Sequence, residues 1–157
     1  RMESGIIAVH SEDTTITQML ESIQQQVSVK AREKNITLSL CDTDLHVRCD
    51  SKWTVEALGN IVDNAIKYTP EGGKVQLKVE KYSSFVKVDV IDDGIGIKKE
   101  EIPKIFGRFY RSLSVADQPG VGVGLFLARE IIQAQKGYVK VKSEIGKGST
   151  FSVFLPV

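Results

Sequence analysis

Two carboxamides stand four residues apart in Leu58-Gly59-Asn60-Ile61-Val62-Asp63-Asn64-Ala65-Ile66-Lys67-Tyr68, inside a segment whose apolar residues recur at helical spacing. Val55, Leu58, Ile61, Val62, Ala65 and Ile66 would cover the buried side of such a helix, leaving Glu56, Asn60, Asn64 and Lys67 as a polar stripe. An Asn side chain offers a neutral oxygen to a hard cation and amide hydrogens to phosphate oxygens. Lys67 adds a positive charge one turn on. Magnesium with a polyphosphate suits that set. A solvated surface helix with incidental Asn residues would carry the same stripe, so the segments downstream decide.

Val88-Asp89-Val90-Ile91-Asp92-Asp93-Gly94-Ile95-Gly96-Ile97 reads as a strand running into an acidic, glycine-containing turn. Asp92 would stand at a pocket mouth, with Gly94 and Gly96 permitting close backbone approach. An ordinary tight turn uses the same residue types. Gly120-Val121-Gly122-Val123-Gly124-Leu125 then opens an apolar helical run over residues 126–135. Alternating glycines at a helix start converge backbone amides on an anion. This is neither the dinucleotide fingerprint, which needs a preceding strand and Gly-x-Gly-x-x-Gly spacing, nor a P-loop, since no Gly-Lys-Ser/Thr follows. Residues 112–120 read as a mobile loop that could order over a ligand, or as a plain surface loop.

Two further segments complete the series, Ile105-Phe106-Gly107-Arg108-Phe109-Tyr110-Arg111 and Gly146-Lys147-Gly148-Ser149-Thr150-Phe151. In order, the five segments closely resemble the N, first glycine, F, second glycine and third glycine boxes of sensor histidine kinases. That is the ATP-binding superfamily shared with gyrase, a heat-shock chaperone and mismatch-repair ATPases. The resemblance runs from Asn60 to Phe154, and more weakly back to Arg1.

The resemblance implies a Bergerat-type α/β (α+β) two-layer sandwich, one mixed sheet covered on one face by helices. It implies ATP and Mg2+ as ligands. Asn64 would hold magnesium through its side-chain oxygen, with Asn60 supporting the metal or the phosphates. Lys67 would neutralise phosphate charge, Tyr68 would pack near base or ribose, and Asp92 would accept the adenine amino group. Gly94, Gly96 and Ile97 shape the pocket. Arg108 or Arg111 would reach the γ-phosphate. Backbone amides around Gly120, Gly122, Val123, Gly124 and Leu125 would bind the phosphates. Phe106 and Phe109 anchor the lid (residues 107–122), and Thr150 would sit on a water network beside Asp92.

Several positions depart from the family pattern. Gly107 stands where a polar residue is usual, Val121 where a Ser or Thr is usual, and Phe126 where a small polar residue is usual. No His-Glu/Asp-x-x-Thr-Pro phosphoacceptor segment is present. Residues 1–5 resemble the tail that follows a dimerisation helix, so the chain reads as the single catalytic domain, residues 1–157, of a longer, membrane-anchored bacterial receptor with this domain in the cytoplasm. Its expected activity is transfer of the ATP γ-phosphoryl to a histidine on a separate dimerisation domain, with a response regulator as indirect partner. The alternatives are a hydrolysing ATPase of the superfamily and a non-catalytic nucleotide-binding module. The first is disfavoured because the polar position that carries a glutamate base in those enzymes is Asn60, which cannot take a proton from water at neutral pH.

Composition suits these expectations. The chain has 157 residues, is 41% hydrophobic and 26% charged, and has net charge +1, which gives no general pull toward nucleic acid or anionic membrane. No apolar run approaches the roughly 20 residues of a membrane span, and no signal peptide is visible. Cys41 and Cys49 lack metal-site spacing and read as free thiols; His10 and His46 read as structural or surface residues.

The elements that must position the motifs follow from pattern. Residues 5–9 read as an edge strand, and residues 11–14 as N-cap candidates for an amphipathic helix marked by Ile16, Met19, Leu20, Ile23, Val27 and Ala31 and ending near Asn35. Strands follow at 36–41 and 45–49. Asp50-Ser51 caps the Asn-bearing helix, which stops at Thr69-Pro70. A hairpin is expected from strands 74–81 and 85–91, and strands 138–143 and 150–155 close the pattern.

Overall fold

The computed structural model of the chain describes residues 7–108 and 124–157. Helix α1 (Ile16–Glu33) buries the six apolar residues that mark its pattern and ends with Lys30 and Arg32 in its last turn. Basic side chains there suit the negative end of the helix dipole. Asn35 then turns the chain with φ 55°, a left-handed conformation that Asn tolerates better than most residues.

Helix α2 (Ser51–Tyr68) carries the two carboxamides. Asp50 is its N-cap, its side chain accepting from Trp53 N; such a cap contributes about 1 kcal/mol. The helix stops at Tyr68, before Thr69-Pro70. Pro cannot donate to the helical ladder and disfavours the helical conformation in the residue before it.

Five strands form one mixed sheet in the order β2 (Thr37–Leu40), β4 (Lys74–Lys81), β5 (Phe85–Asp92), β7 (Gly148–Pro156), β6 (Tyr138–Glu144). β2 runs parallel to β4, and every other pairing is antiparallel. Alternation sets the two faces: Val86, Val88 and Val90 of β5 and Phe151, Val153 and Leu155 of β7 are buried in one core with the apolar faces of α1, α2 and α3 (Gly124–Ala134). The opposite face bears Phe85, Phe154 and Tyr138, stacked edge-on or face to face.

Two expectations are corrected. The sheet does not take in the strand before α2: β3 (His46–Cys49) pairs instead with β1 (Glu12–Thr15) in a separate antiparallel ribbon. Its inward residues, Val47 and Cys49, are buried, with Cys49 Sγ 3.9 Å from Met19 Sδ of α1. Among the described residues, 7–9 form no strand, and the first described strand, β1, falls where N-cap residues were expected. Ala8 O is taken by Trp53 Nε1 and His10 N by Asp50 Oδ2, so backbone groups that a strand needs are committed to side chains. Thr15 precedes α1 without a side-chain cap.

Residues 1–5 and most of the expected lid, 109–122, lie outside the described residues. Among the described residues no helix is long and apolar enough to cross a membrane. Both cysteines are free thiols, and His46 is exposed with Nδ1 3.0 Å from Asp13 Oδ2.

Candidate nucleotide-binding site

Asp92 is the last residue of β5 and is buried, although its chain neighbour Asp93 is exposed. The two carboxylates have different tasks. Asp93 Oδ1 accepts from Lys74 N at 2.7 Å and so pins the start of β4. Asp92 Oδ1 accepts from Gly94 N at 2.9 Å and from Ser149 N at 3.2 Å. Both donors spend themselves on the same oxygen. Among the described residues no donor reaches Oδ2. Burial pushes the Asp92 carboxyl above its ordinary range, the two backbone donors oppose that shift, and neighbouring Asp93 adds to it.

The glycines around Asp92 are required by approach distance. A β-carbon on Gly94 would stand 2.9 Å from Asp92 Oδ1 and run into Tyr68 O. Gly96 has φ 78° with the Glu144 carbonyl where a side chain would start, and Gly148 has φ 107° with the Asp92 carbonyl there. Three chain segments, 68–69, 92–97 and 144–149, therefore meet backbone to backbone. Ile97 adds a buried side chain to the core, and Ile95 N donates to Tyr68 O.

On α2, Asn60, Asn64, Lys67 and Tyr68 are half-buried and follow one another at helical spacing. No hydrogen bond or ion pair within the described residues engages the side chains of Asn60, Asn64 or Lys67. They are thus uncommitted polar groups on one face. Gly124, the first residue of α3, comes against this face: a β-carbon there would lie 3.7 Å from Asn60 Cβ. The glycine that opens α3 is therefore beside the first carboxamide, with Leu125 packed partly on the core. Glu56, at the other end of the stripe, is exposed and borders a separate shallow hollow with His10, Asp50, Lys52 and Trp53.

Lys34, which sequence reasoning passed over, fastens the end of α2. Its Nζ donates to Ile66 O at 3.0 Å and Lys67 O at 3.1 Å, and burial lowers its pKa. Both carbonyls lie in the last turn, where helical partners run out; Ile66 O also accepts from Thr69 N at 3.3 Å.

Arg108 lies with its guanidinium carbon 5.0 Å from the Phe126 ring, on the first turn of α3. Phe106 packs in the core, edge-on to Phe151 at 6.2 Å, with Arg129 stacked over it at 4.9 Å. Phe106 is thus a core residue, while most of the lid it is expected to anchor lies outside the described residues. Phe109, Arg111, Gly120, Gly122 and Val123 lie outside the described residues.

Thr150 borders the same hollow as Asp92 but is not its cross-strand neighbour. In the β5–β7 register Asp92 faces Ser149, while Thr150 faces Ile91 and belongs to the opposite side of the sheet. Parity in the sequence carries this information. Phe151, Val153 and Leu155 share one parity in the last strand, with Phe154 on the other, so the residue in phase with the larger apolar set is 149 rather than 150.

Residues 49–157 match the family described as histidine kinase-, DNA gyrase B-, and HSP90-like ATPase. The chain belongs to this family. Within it, the chain is 32% identical over 157 residues to the sensor protein kinase PmrB of Pseudomonas aeruginosa, covering 99% of this chain and 33% of that protein. It is 39% identical over 122 residues to the sensor histidine kinase WalK of Bacillus subtilis, covering 75% of this chain and 20% of that one. The catalytic domain of histidine kinase ThkA superposes with a TM-score of 0.81 at 27% identity, over 94% of this chain and 95% of that domain. The chain thus spans a third or less of these two curated relatives and nearly all of a solved histidine kinase catalytic domain. The ATPase domain of sensor histidine kinases is what these likenesses share, in fold as well as in sequence.

Proposed function

We propose that this domain holds Mg-ATP and presents its γ-phosphoryl to a histidine nitrogen on the dimerisation domain of the same sensor kinase. The relay would continue to a response regulator, and the parent chain would be anchored in a membrane with this domain on the cytoplasmic side. The observation that carries the reading is the pairing of Asn60 with Gly124. The position nearest the glycine-opened helix holds a neutral amide, which can position phosphate or metal and cannot act as a base toward water.

Support comes from each end of the site. The Asp92 oxygen without a described donor suits the adenine 6-amino group, since a carboxylate only accepts. Asn64 and Asn60 offer amide oxygens to a small cation that keeps several waters and binds mainly phosphate oxygens, so the donor set fits magnesium. That ion would neutralise phosphate charge. Lys67 and the start of α3 would add fixed positive potential, and Arg108, held beside that start, would contribute at the terminal phosphate. Phosphoryl transfer asks for positioning and charge stabilisation, and these residues supply both. Related kinases are consistent with this assignment: ShkA has been solved in complex with AMPPNP, and ThkA with a response regulator protein, TrrA.

The test is incubation of the domain with labelled ATP and magnesium, with and without its dimerisation domain. Label is expected on the added domain, with little label on this one and slow hydrolysis by it alone. Rapid steady ATP turnover by the isolated domain would overturn the kinase assignment in favour of a hydrolysing ATPase. Binding without transfer would overturn it in favour of a nucleotide-binding module.

A further inference from the structure

We propose that Ser143, a β6 residue outside all five motif segments, is a positioning residue that sets base choice through Ser149 and Asp92. The inference rests on the reading of Asp92 as the adenine acceptor and extends it to a residue that makes no contact with the base.

Ser143 Oγ sits where three backbone segments meet. It accepts from Ile97 N at 2.8 Å, donates to Gly148 O at 3.1 Å, and lies 2.8 Å from Ser149 Oγ. A hydroxyl has one proton and two acceptor positions. With the Ser143 proton on Gly148 O, the Ser149 hydroxyl is the donor in the contact between the two serines, and this is the arrangement the proposal takes. Every position on the Ser143 oxygen is then used.

Two consequences follow for Asp92. The Ser149 hydroxyl proton is committed to Ser143, which leaves only the Ser149 backbone N–H directed at the carboxylate, on Oδ1. Ser143 also ties the segment after Gly96 to the segment before Ser149, so Gly94 N and Ser149 N approach Oδ1 from fixed directions. Without the Ser143 hydroxyl, Ile97 N and Gly148 O lose their partner and the Ser149 hydroxyl is released. Ser149 stands opposite Asp92 in the strand register, so the released hydroxyl has that carboxylate to turn to. It would then compete with the adenine amino group for the same acceptor.

The experiment is titration of wild type, Ser143→Ala, Ser143→Thr and Ser143→Cys with ADP and with IDP, alongside thermal melting. Hypoxanthine carries an oxygen where adenine carries its amino group, and the diphosphates are identical. Ser143→Ala should lose about tenfold in ADP affinity and only about twofold in IDP affinity, the scale of one buried hydrogen bond. Ser143→Thr keeps the hydroxyl on a residue suited to a strand and should restore the wild-type ratio. Should Ser143→Ala melt below the assay temperature, Ser143→Cys, nearly isosteric and a poor acceptor, should still narrow the ratio. An unchanged ADP-to-IDP ratio in folded Ser143→Ala or Ser143→Cys, whether both affinities fall or neither does, would overturn the inference and leave the adenine reading intact. A wild type that binds ADP and IDP equally would overturn the Asp92 contact itself.

Discussion

The two ends of the site are built on opposite principles. At the base end the carboxylate is buried, one of its oxygens is pinned by two backbone amides, and glycines let three segments touch. At the phosphate end Asn60, Asn64 and Lys67 are half-buried side chains on one helix face with no partner among the described residues. A pinned group discriminates, because a mismatched ligand must leave it unpaired or move a backbone that resists. Uncommitted groups adapt, and they lose side-chain entropy when a ligand orders them. Base choice should therefore be rigid and costly to alter, and phosphate and metal binding more tolerant.

Asp92→Asn should have the largest effect and would sharpen the contrast. Gly94 N and Ser149 N both need an acceptor, so the amide oxygen takes the place of Oδ1 and the NH2 is forced to the Oδ2 position, facing the base. Two donors then oppose each other across the adenine contact. ADP affinity should fall about 100-fold, or about 3 kcal/mol, while IDP, with an acceptor there, is spared and becomes the better ligand. Titration with both nucleotides measures this; an unchanged preference would mean that the base end is not pinned.

Asn64→Ala should act more mildly and only at the other end. The increment in ADP affinity on adding magnesium, about tenfold for one coordinating oxygen, should vanish, with the ADP-to-IDP ratio and the melting temperature unchanged. A shifted ratio would mean that the two ends are not separable. The smallest expected effect is that of pH. Burial raises the Asp92 pKa above its ordinary 3.8, so the folded apo domain holds this proton to higher pH than the unfolded chain does. The stability this group contributes is present at low pH and is lost as pH rises through the raised value. Ligand preference runs the other way. Protonation would place a hydrogen on Oδ2, facing the adenine donor, so ADP selectivity over IDP should narrow on acidification toward the raised Asp92 pKa and be flat in Asp92→Asn. Measuring the ratio cancels titration of the phosphates, and a flat wild-type profile would break the assignment of Oδ2.

Much of this was legible in the sequence, for physical reasons that differ by region. The α2 boundaries were readable because Asp50 and Pro70 act locally, one by capping and the other by removing a donor. The β4–β5 hairpin was readable because alternation persists through Phe85–Asp92. Placement of the first strand was not, because the backbone from Ala8 to His10 is claimed by Trp53 and Asp50, residues some 40 positions away. Ser143 and Lys34 were missed for the same cause. Each acts on backbone atoms of a distant segment, and that leaves no mark on local spacing. Ser149, the cross-strand neighbour of Asp92, was overlooked beside Thr150, because only the strand register separates two adjacent hydroxyl residues.

Asp50 is more than a helix cap. Its Oδ1 accepts from Trp53 N and its Oδ2 from His10 N, while its own N–H donates to Gln135 Oε1 and Gln135 Nε2 reaches Thr54 Oγ1. One residue thus rivets the incoming chain, the start of α2 and the chain just beyond α3 together. Asn60 lies ten residues along α2, about 15 Å at helical rise. A load applied to the chain at His10 is delivered to the head of a stiff rod that carries Asn60 and Asn64.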